Sequence, residues 1–145
     1  MAAFALPLLR LTRHQFEVIV GHCYDALDDE ACGLLIGPMR NSVALGLITE
    51  VWPARNADAS ARTYTVDPKD MLRASRAADA RGEEIVGVWH SHTHTDAYPS
   101  PTDVRQAVDP GWIYPIVSLR DEAPVLRAFR IVDEQIAEVA VALER

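Results

Sequence analysis

The feature that most constrains this chain is the apolar run Ile85-Val86-Gly87-Val88-Trp89, which ends abruptly in His90-Ser91-His92. A β-branched apolar run of this length reads as a strand buried on both faces, at the centre of a sheet. Titratable side chains immediately after it stand at a strand end, where polar groups emerge at a sheet edge. In an extended segment, residues two apart point the same way, so His90 and His92 share one side. After seven intervening residues, Ser100-Pro101 reads as a helix N-cap followed by proline at the first helical position. Asp103 then lies in the first turn, directed back towards the strand end, and the helix N-terminus favours its ionised form.

The rest of the chain supplies layers around that strand. Thr12 with Gln15 is a capping-box pair, and Phe16, Ile19, Val20, Cys23 and Leu27 fall on one face of the helix it opens. Ala31 to Gly37 reads as a buried strand, Pro38 to Ser42 as a turn and Val43 to Trp52 as a second strand, together a hairpin. Arg55 to Ala61 is a polar loop before a short strand at Thr63 to Val66. Asp67-Pro68 opens a helix that stops at Gly82. The segment His90 to Pro99 reads as a loop, and the helix after Ser100 runs to about Val108. Three strands follow, Trp112 to Leu119, Val125 to Val132 and Gln135 to Leu143, the last two joined around Asp133-Glu134. With no repeat, low-complexity tract or long linker in 145 residues, a single domain over 1–145 is expected. Its class is mixed α/β, helices covering a mostly antiparallel sheet, with strand order unreadable.

Charge removes several function classes. Fourteen basic residues against 21 acidic ones leave a formal charge of −7, without the cationic footprint that grips phosphate backbones. Two cysteines, Cys23 and Cys32, are no disulfide framework, and a reducing cytoplasm is expected. Met1 to Leu9 is apolar but has no preceding basic region and ends at Arg10. It is too short for a membrane span or secretory signal and reads as an edge strand or docking arm. Association between copies is left open.

Two imidazoles and one carboxylate at about 2.0–2.2 Å from an ion make a catalytic zinc set, because three protein ligands leave a position open for water. Zinc in such a site lowers the pKa of its water from 15.7 to about 7. Glu30, directly before the strand that begins at Ala31, is the best-placed base to take the water's proton. Ser100 offers a hydroxyl to a developing oxyanion, with N-capping as its rival role, since one rotamer does not readily serve both. A His90/His92/His94 site with Asp103 behind it is the alternative ligand set, although His94 reads more simply as a solvated loop residue. Cys32 could complete a closed structural site or be a small buried hydrophobe. Tyr64 lies on a strand whose edge could pair with an extended peptide, or it simply packs in the sheet.

Glu30 … His90-x-His92-x(7)-Ser100-x(2)-Asp103, with Glu30-Ala31-Cys32-Gly33-Leu34-Leu35-Ile36-Gly37 around the glutamate, resembles the JAMM (MPN+) metalloprotease signature. The likeness runs from about Leu11 to Val132. It implies one Zn²⁺ on His90, His92 and Asp103, Glu30 as general base, Ser100 assisting the oxyanion, and an α/β/α layered fold. Asp29 to Gly33, His90 to Thr93, Ala97 to Ser100 and Arg130 to Asp133 are similar to the short bacterial Mec-type members. That narrower resemblance implies a ubiquitin-like sulfur-carrier protein as partner, its C-terminal tail as substrate, and cysteine as the product released from a carrier–cysteine adduct. Deubiquitinating members usually have proline where Thr93 stands. The competing functions are an isopeptidase or processing peptidase for a bacterial ubiquitin-like protein, and a module that binds such tails without cleaving them.

Overall fold

The structure, a computed structural model, describes residues 8–145. In chain order its elements are β1 (Leu8–Thr12), α1 (Arg13–Asp25), β2 (Cys32–Gly37), β3 (Met39–Arg40), β4 (Val43–Ala44) and β5 (Glu50–Ala54). They continue with α2 (Pro68–Ala80), β6 (Glu84–His92), α3 (Pro101–Gln106), β7 (Tyr114–Ser118), β8 (Val125–Val132) and β9 (Gln135–Glu144). Seven strands form one sheet in the order β1-β9-β8-β7-β6-β2-β5, antiparallel except for the pairs β1/β9 and β6/β7. Among the described residues no helix is long and apolar enough to cross a membrane.

The sheet is apolar on both faces, and a helix covers each. Ile19 and Cys23 of α1 pack with Leu35, Trp89 and Val117 on one side. Ala74 and Ala78 of α2 pack with Leu34, Ile36, Val88 and Ile116 on the other. This is the expected α/β/α layering, and it follows from side chains alternating between faces along each strand. The β2–β6 pair is locked by Trp89, whose Nε1 donates to the Leu34 carbonyl at 3.2 Å. The indole lies across Gly33, where an added Cβ would meet the ring at 2.1 Å, so only glycine fits there.

Helix starts were legible. Thr12 caps α1 with the reciprocal Gln15 bond, Asp67 caps α2 and Ser100 caps α3. Strand ends were less so. The hairpin expected over Ala31 to Trp52 is divided: β3 and β4 form a two-residue ribbon around Asn41 and Ser42, both at positive φ, and only β5 pairs with β2. The intervening residues turn to β1 instead, the Arg10 amide donating to the Gly46 carbonyl at 2.8 Å. Gly46, at φ +83°, approaches the Leu8 carbonyl so closely that a Cβ would sit 1.9 Å from it. No strand forms at Thr63–Val66 beyond a single bridge from Asn56 to Val66. The Asn56 side chain takes over the pairing there, donating to the carbonyls of Thr63 (2.9 Å) and Glu30 (3.0 Å) and accepting from the Thr65 amide (3.1 Å). Leu8 and Leu9 begin the edge strand β1, while the remainder of the Met1 to Leu9 arm lies outside the described residues.

Candidate metal centre and active site

Strand β6 does not stop at Trp89. It continues through His92 because β7 runs alongside it in parallel, pairing His90 with Ile116, Ser91 with Val117 and His92 with Ser118. The two histidines therefore sit on paired backbone and not on the loop expected from sequence. Ser91, between them, faces the other way. Its Oγ accepts from the Ala31 amide at 2.8 Å, and its own amide donates to the Ala31 carbonyl at 3.0 Å. That clamp fixes the residue following Glu30. The Glu30 amide in turn donates to the Ser60 carbonyl at 2.8 Å, and its carbonyl accepts from Asn56. Glu30 is thus held in backbone by three segments while its side chain points inward, the residue only 5 % exposed.

His90 Nε2, His92 Nε2 and Asp103 Oδ2 converge, with separations of 3.1 Å between the imidazoles and 3.2 and 3.1 Å from each to the carboxylate. Among the described residues this is the group of His, Cys, Asp and Glu side chains whose ligand atoms come together as a metal site requires. Its donor chemistry fits an ion. The His92 Nδ1–H donates to the Asp96 carbonyl at 2.7 Å, leaving the Nε2 lone pair aimed at the cluster. Ligands at about 2.0–2.2 Å in a tetrahedron stand roughly 3.3–3.6 Å apart, so little movement would admit a zinc-sized dication. Tyr64 stacks on the His90 ring at a centroid distance of 4.3 Å and holds its plane. Tyr64 also packs against the Leu34 and Val88 side of the core, which agrees with the packing role expected for it, whereas the segment forms no strand to offer an edge.

Electrostatics mark the same spot. Burial pushes the Glu30 carboxyl up to about 7, and its Oε1 has no hydrogen-bond partner among the described residues. Burial lowers His90 below the ordinary histidine range. Burial acts the same way on His92, but the hydrogen bonds to Asp103 and the Asp96 carbonyl outweigh it and raise that ring. Burial would raise Asp103 as well; the hydrogen bonds from His90 and His92 override it and hold the carboxyl well below the usual carboxylate range. Such a concentration of perturbed groups around one buried, unpartnered carboxyl is typical of a functional site.

Ser100 resolves its two rival roles chemically. Its Oγ accepts the Asp103 amide at 3.0 Å, which uses a lone pair and leaves the hydroxyl proton free to donate elsewhere. Asp103 Oδ2 accepts the Ser100 amide at 2.9 Å, so the capping box also fixes the carboxylate that faces the histidines. The capping role is the one seen, and it uses an acceptor site and not the hydroxyl proton. A cavity of about 400 Å³ opens beside the cluster, lined by Glu30, Arg62, His92, Thr93 and Ser100 among others. His94 lines its exposed mouth and stands outside the converging group. Cys32 is buried opposite His90 across the β2–β6 pair and likewise stands outside it. His22 packs edge-on to Trp89 and donates to the Ala54 carbonyl at 2.9 Å. Sequence reasoning missed Ser91 and Asn56. The alternation His-Ser-His did carry a signal for Ser91, since one of three successive strand residues must face the opposite layer.

Residues 12–132 match the family model described as prokaryotic homologs of the JAB domain. The chain is 40% identical over 126 residues to the CysO-cysteine peptidase of Mycobacterium tuberculosis, covering 86% of this chain and 84% of the relative. It is 31% identical over 116 residues to the desampylase of Haloferax volcanii, covering 79% and 78% respectively. Among solved structures, a protein from Desulfitobacterium hafniense superposes with a TM-score of 0.82 at 34% identity, covering 94% of this chain and 92% of that one.

Proposed function

This chain belongs to the prokaryotic JAB-domain family and is a JAMM-type hydrolase, and we propose that it releases cysteine from the C-terminal tail of a ubiquitin-like sulfur-carrier protein. In this reading one zinc ion is held by His90, His92 and Asp103. The observation that carries it is the convergence of those three ligand atoms beside the buried, unpartnered carboxyl of Glu30. Support for the substrate comes from the mycobacterial relative, a CysO-cysteine peptidase, and from the Mec-like strings around the motif.

Zinc in this site supplies Lewis acidity towards the scissile carbonyl and a water acidic enough to attack near neutral pH. The chain's own residues do the rest. Glu30, buried beside the ligand set with one oxygen unpartnered among the described residues, takes the proton lost by the attacking water and returns it to the leaving nitrogen. The Ser100 hydroxyl, its proton uncommitted by the cap, donates to the oxygen that gains charge. The Tyr64 ring and the Asp96 carbonyl keep the two imidazoles in orientation. The carbonyl carbon gains water's oxygen, the C–N bond breaks, and the products are a carrier carboxylate and the free amine of cysteine.

A second reading is an isopeptidase or processing peptidase for a ubiquitin-like protein, favoured by the likeness to a desampylase. Pure tail binding without cleavage gives no reason for a base buried beside an open ligand set. The test is mass spectrometry after incubation with carrier–cysteine and carrier–isopeptide substrates, each with and without a chelator. Chelator-sensitive loss of cysteine from the first is expected. Cleavage of the isopeptide alone would replace this reading with the second, and no cleavage of either would favour the binder.

A further inference from the structure

The cavity beside Glu30 carries a cation whose purpose the hydrolytic chemistry leaves unexplained. Arg62 lines the same space as Glu30, His92 and Ser100, in a chain whose net charge is −7. Of the thirteen arginines, Arg10, Arg13, Arg73, Arg81, Arg120 and Arg127 pair with carboxylates of their own chain, and of the seven that do not among the described residues, Arg62 is the one lining this cavity. Arg62 forms no such ion pair among the described residues, so its planar fork of donors is free for an anion from outside.

Its loop is not a loose one. The Ser60 carbonyl receives the Glu30 amide at 2.8 Å, and the Ser60 hydroxyl accepts the amides of Arg62 (3.0 Å) and Thr63 (3.3 Å). Asn56 ties the Thr63 and Glu30 carbonyls together through one amide group. From the other wall Thr93, buried and next to His92, directs its hydroxyl to the Ala61 carbonyl at 3.5 Å. The backbone of Arg62 is therefore registered against Glu30 and against Thr93, the neighbour of His92. An arginine anchored there through its backbone, with its exposed side chain on the cavity, can read one chemical feature of the leaving group, a carboxylate close to the nitrogen being released. An amino acid released from an acyl adduct has an α-carboxylate one carbon from that nitrogen. A lysine ε-nitrogen in an isopeptide has none nearby.

We propose that Arg62 forms a carboxylate subsite that selects leaving groups with a free α-carboxylate, making the site discriminate acyl–amino acid adducts from isopeptides. The proposal rests on the hydrolase reading above but concerns selectivity, not the chemical step. A charge-assisted, bidentate contact of this kind is worth on the order of a ten- to hundredfold preference. Arg62→Lys keeps the charge but loses the fork and retains part of it.

The zinc-loaded protein is given CysO–cysteine and the same adduct as its α-carboxamide, which is uncharged at that position. In parallel, a Gly-Gly-Ala peptide and its carboxamide are titrated for binding, which needs no turnover. Wild type is expected to favour the free carboxylate in kcat/KM and in affinity. Arg62→Ala should lose that preference by lowering only the carboxylate substrate, Arg62→Lys should be intermediate, and Arg62→Glu should favour the carboxamide. A purely structural role for Arg62 would depress both substrates together and would overturn the subsite. Equal hydrolysis of carboxylate and amide by wild type would also overturn it while leaving the proposed function standing. A carboxylate preference in peptide binding with neither adduct cleaved would do the reverse, upholding the subsite and refuting the function.

Discussion

The two ends of strand β6 make an instructive pair. At its C-terminal end lies the cavity of about 400 Å³ beside Glu30 and His92, and at its N-terminal end lies another of about 390 Å³ with Asp79, Glu84 and Asp109 in its wall. Size is nearly equal, yet the chemistry is not: the second wall carries three carboxylates, the first a single carboxyl together with Arg62 and two histidines. Asp79 and Glu84 are exposed to water, and Asp109 spends an oxygen on the Gly111 amide at 2.9 Å. Glu30, His90 and His92 are buried, and one oxygen of Glu30 and one nitrogen of His90 have no partner among the described residues. Ionisable groups are expensive to bury unpaired, so they persist where something uses them. Burial with unmet valence, together with a wall that mixes one carboxyl with imidazoles and a guanidinium, separates the two cavities; volume does not.

The sharpest way to break this contrast is at Glu30. Glu30→Gln should lower turnover by about 10²–10⁴-fold with the fold intact, the range for removing a general base, whereas Glu84→Gln at the opposite end should leave it unchanged. Steady-state kinetics on both variants decides this, and equal effects would erase the distinction. Removing metal comes next. A chelator should abolish activity, zinc should restore it, and zinc at a thousandfold its Kd should stabilise the protein by about 4 kcal/mol, read as a rise in Tm. His92→Ala should remove that rise.

Glu30 also gives a smaller, opposite effect on stability. Because its folded pKa lies near 7 and its ordinary value is 4.5, the fold favours the protonated form. That contribution is whole below pH 4.5 and lost as pH rises through 7, a difference of up to about 3 kcal/mol. The stability of the metal-free wild type relative to Glu30→Gln should therefore fall across this window, whatever the other titrating groups contribute to both. Denaturant melts at pH 4.5, 6 and 8 test it; parallel curves for the two proteins would show that Glu30 is not strained by burial.

The smallest effects compare the two capping boxes. Thr12→Ala and Ser100→Ala should each cost about 1 kcal/mol of stability, but only the second should slow turnover, since only Ser100 faces the cavity. Equal activity in both variants would confine Ser100 to capping.

Local chemistry explains what could be read without coordinates. Thr12-x-x-Gln15, Asp67-Pro68 and Ser100-Pro101 are caps satisfied within three residues, and each helix begins where they stand. The spacing of His90 and His92 on an extended chain, and of Ser100 to Asp103 within one turn, is likewise local geometry. The failures are contacts beyond one turn of chain, two of them between distant segments and one across a loop of seven to nine residues. Residues 45–48 leave the expected strand because β1 lies within reach of Gly46, Thr63 to Val66 forms no ladder because Asn56 supplies its bonds, and His90 to His92 stays extended because β7 runs beside it.

By itself, then, the sequence determined which residue types could share a metal, where each helix starts and that both faces of the sheet are covered. The tertiary structure alone decided the strand order β1-β9-β8-β7-β6-β2-β5, the clamp of Ser91 on Ala31 that aims Glu30, the stacking of Tyr64 on His90, and the seating of Arg62 in the same cavity. The physical reason is one of range. Caps and side-chain alternation are satisfied over a few residues, whereas burying a carboxylate beside two imidazoles takes backbone pairings that join segments tens of residues apart, and no local pattern encodes them.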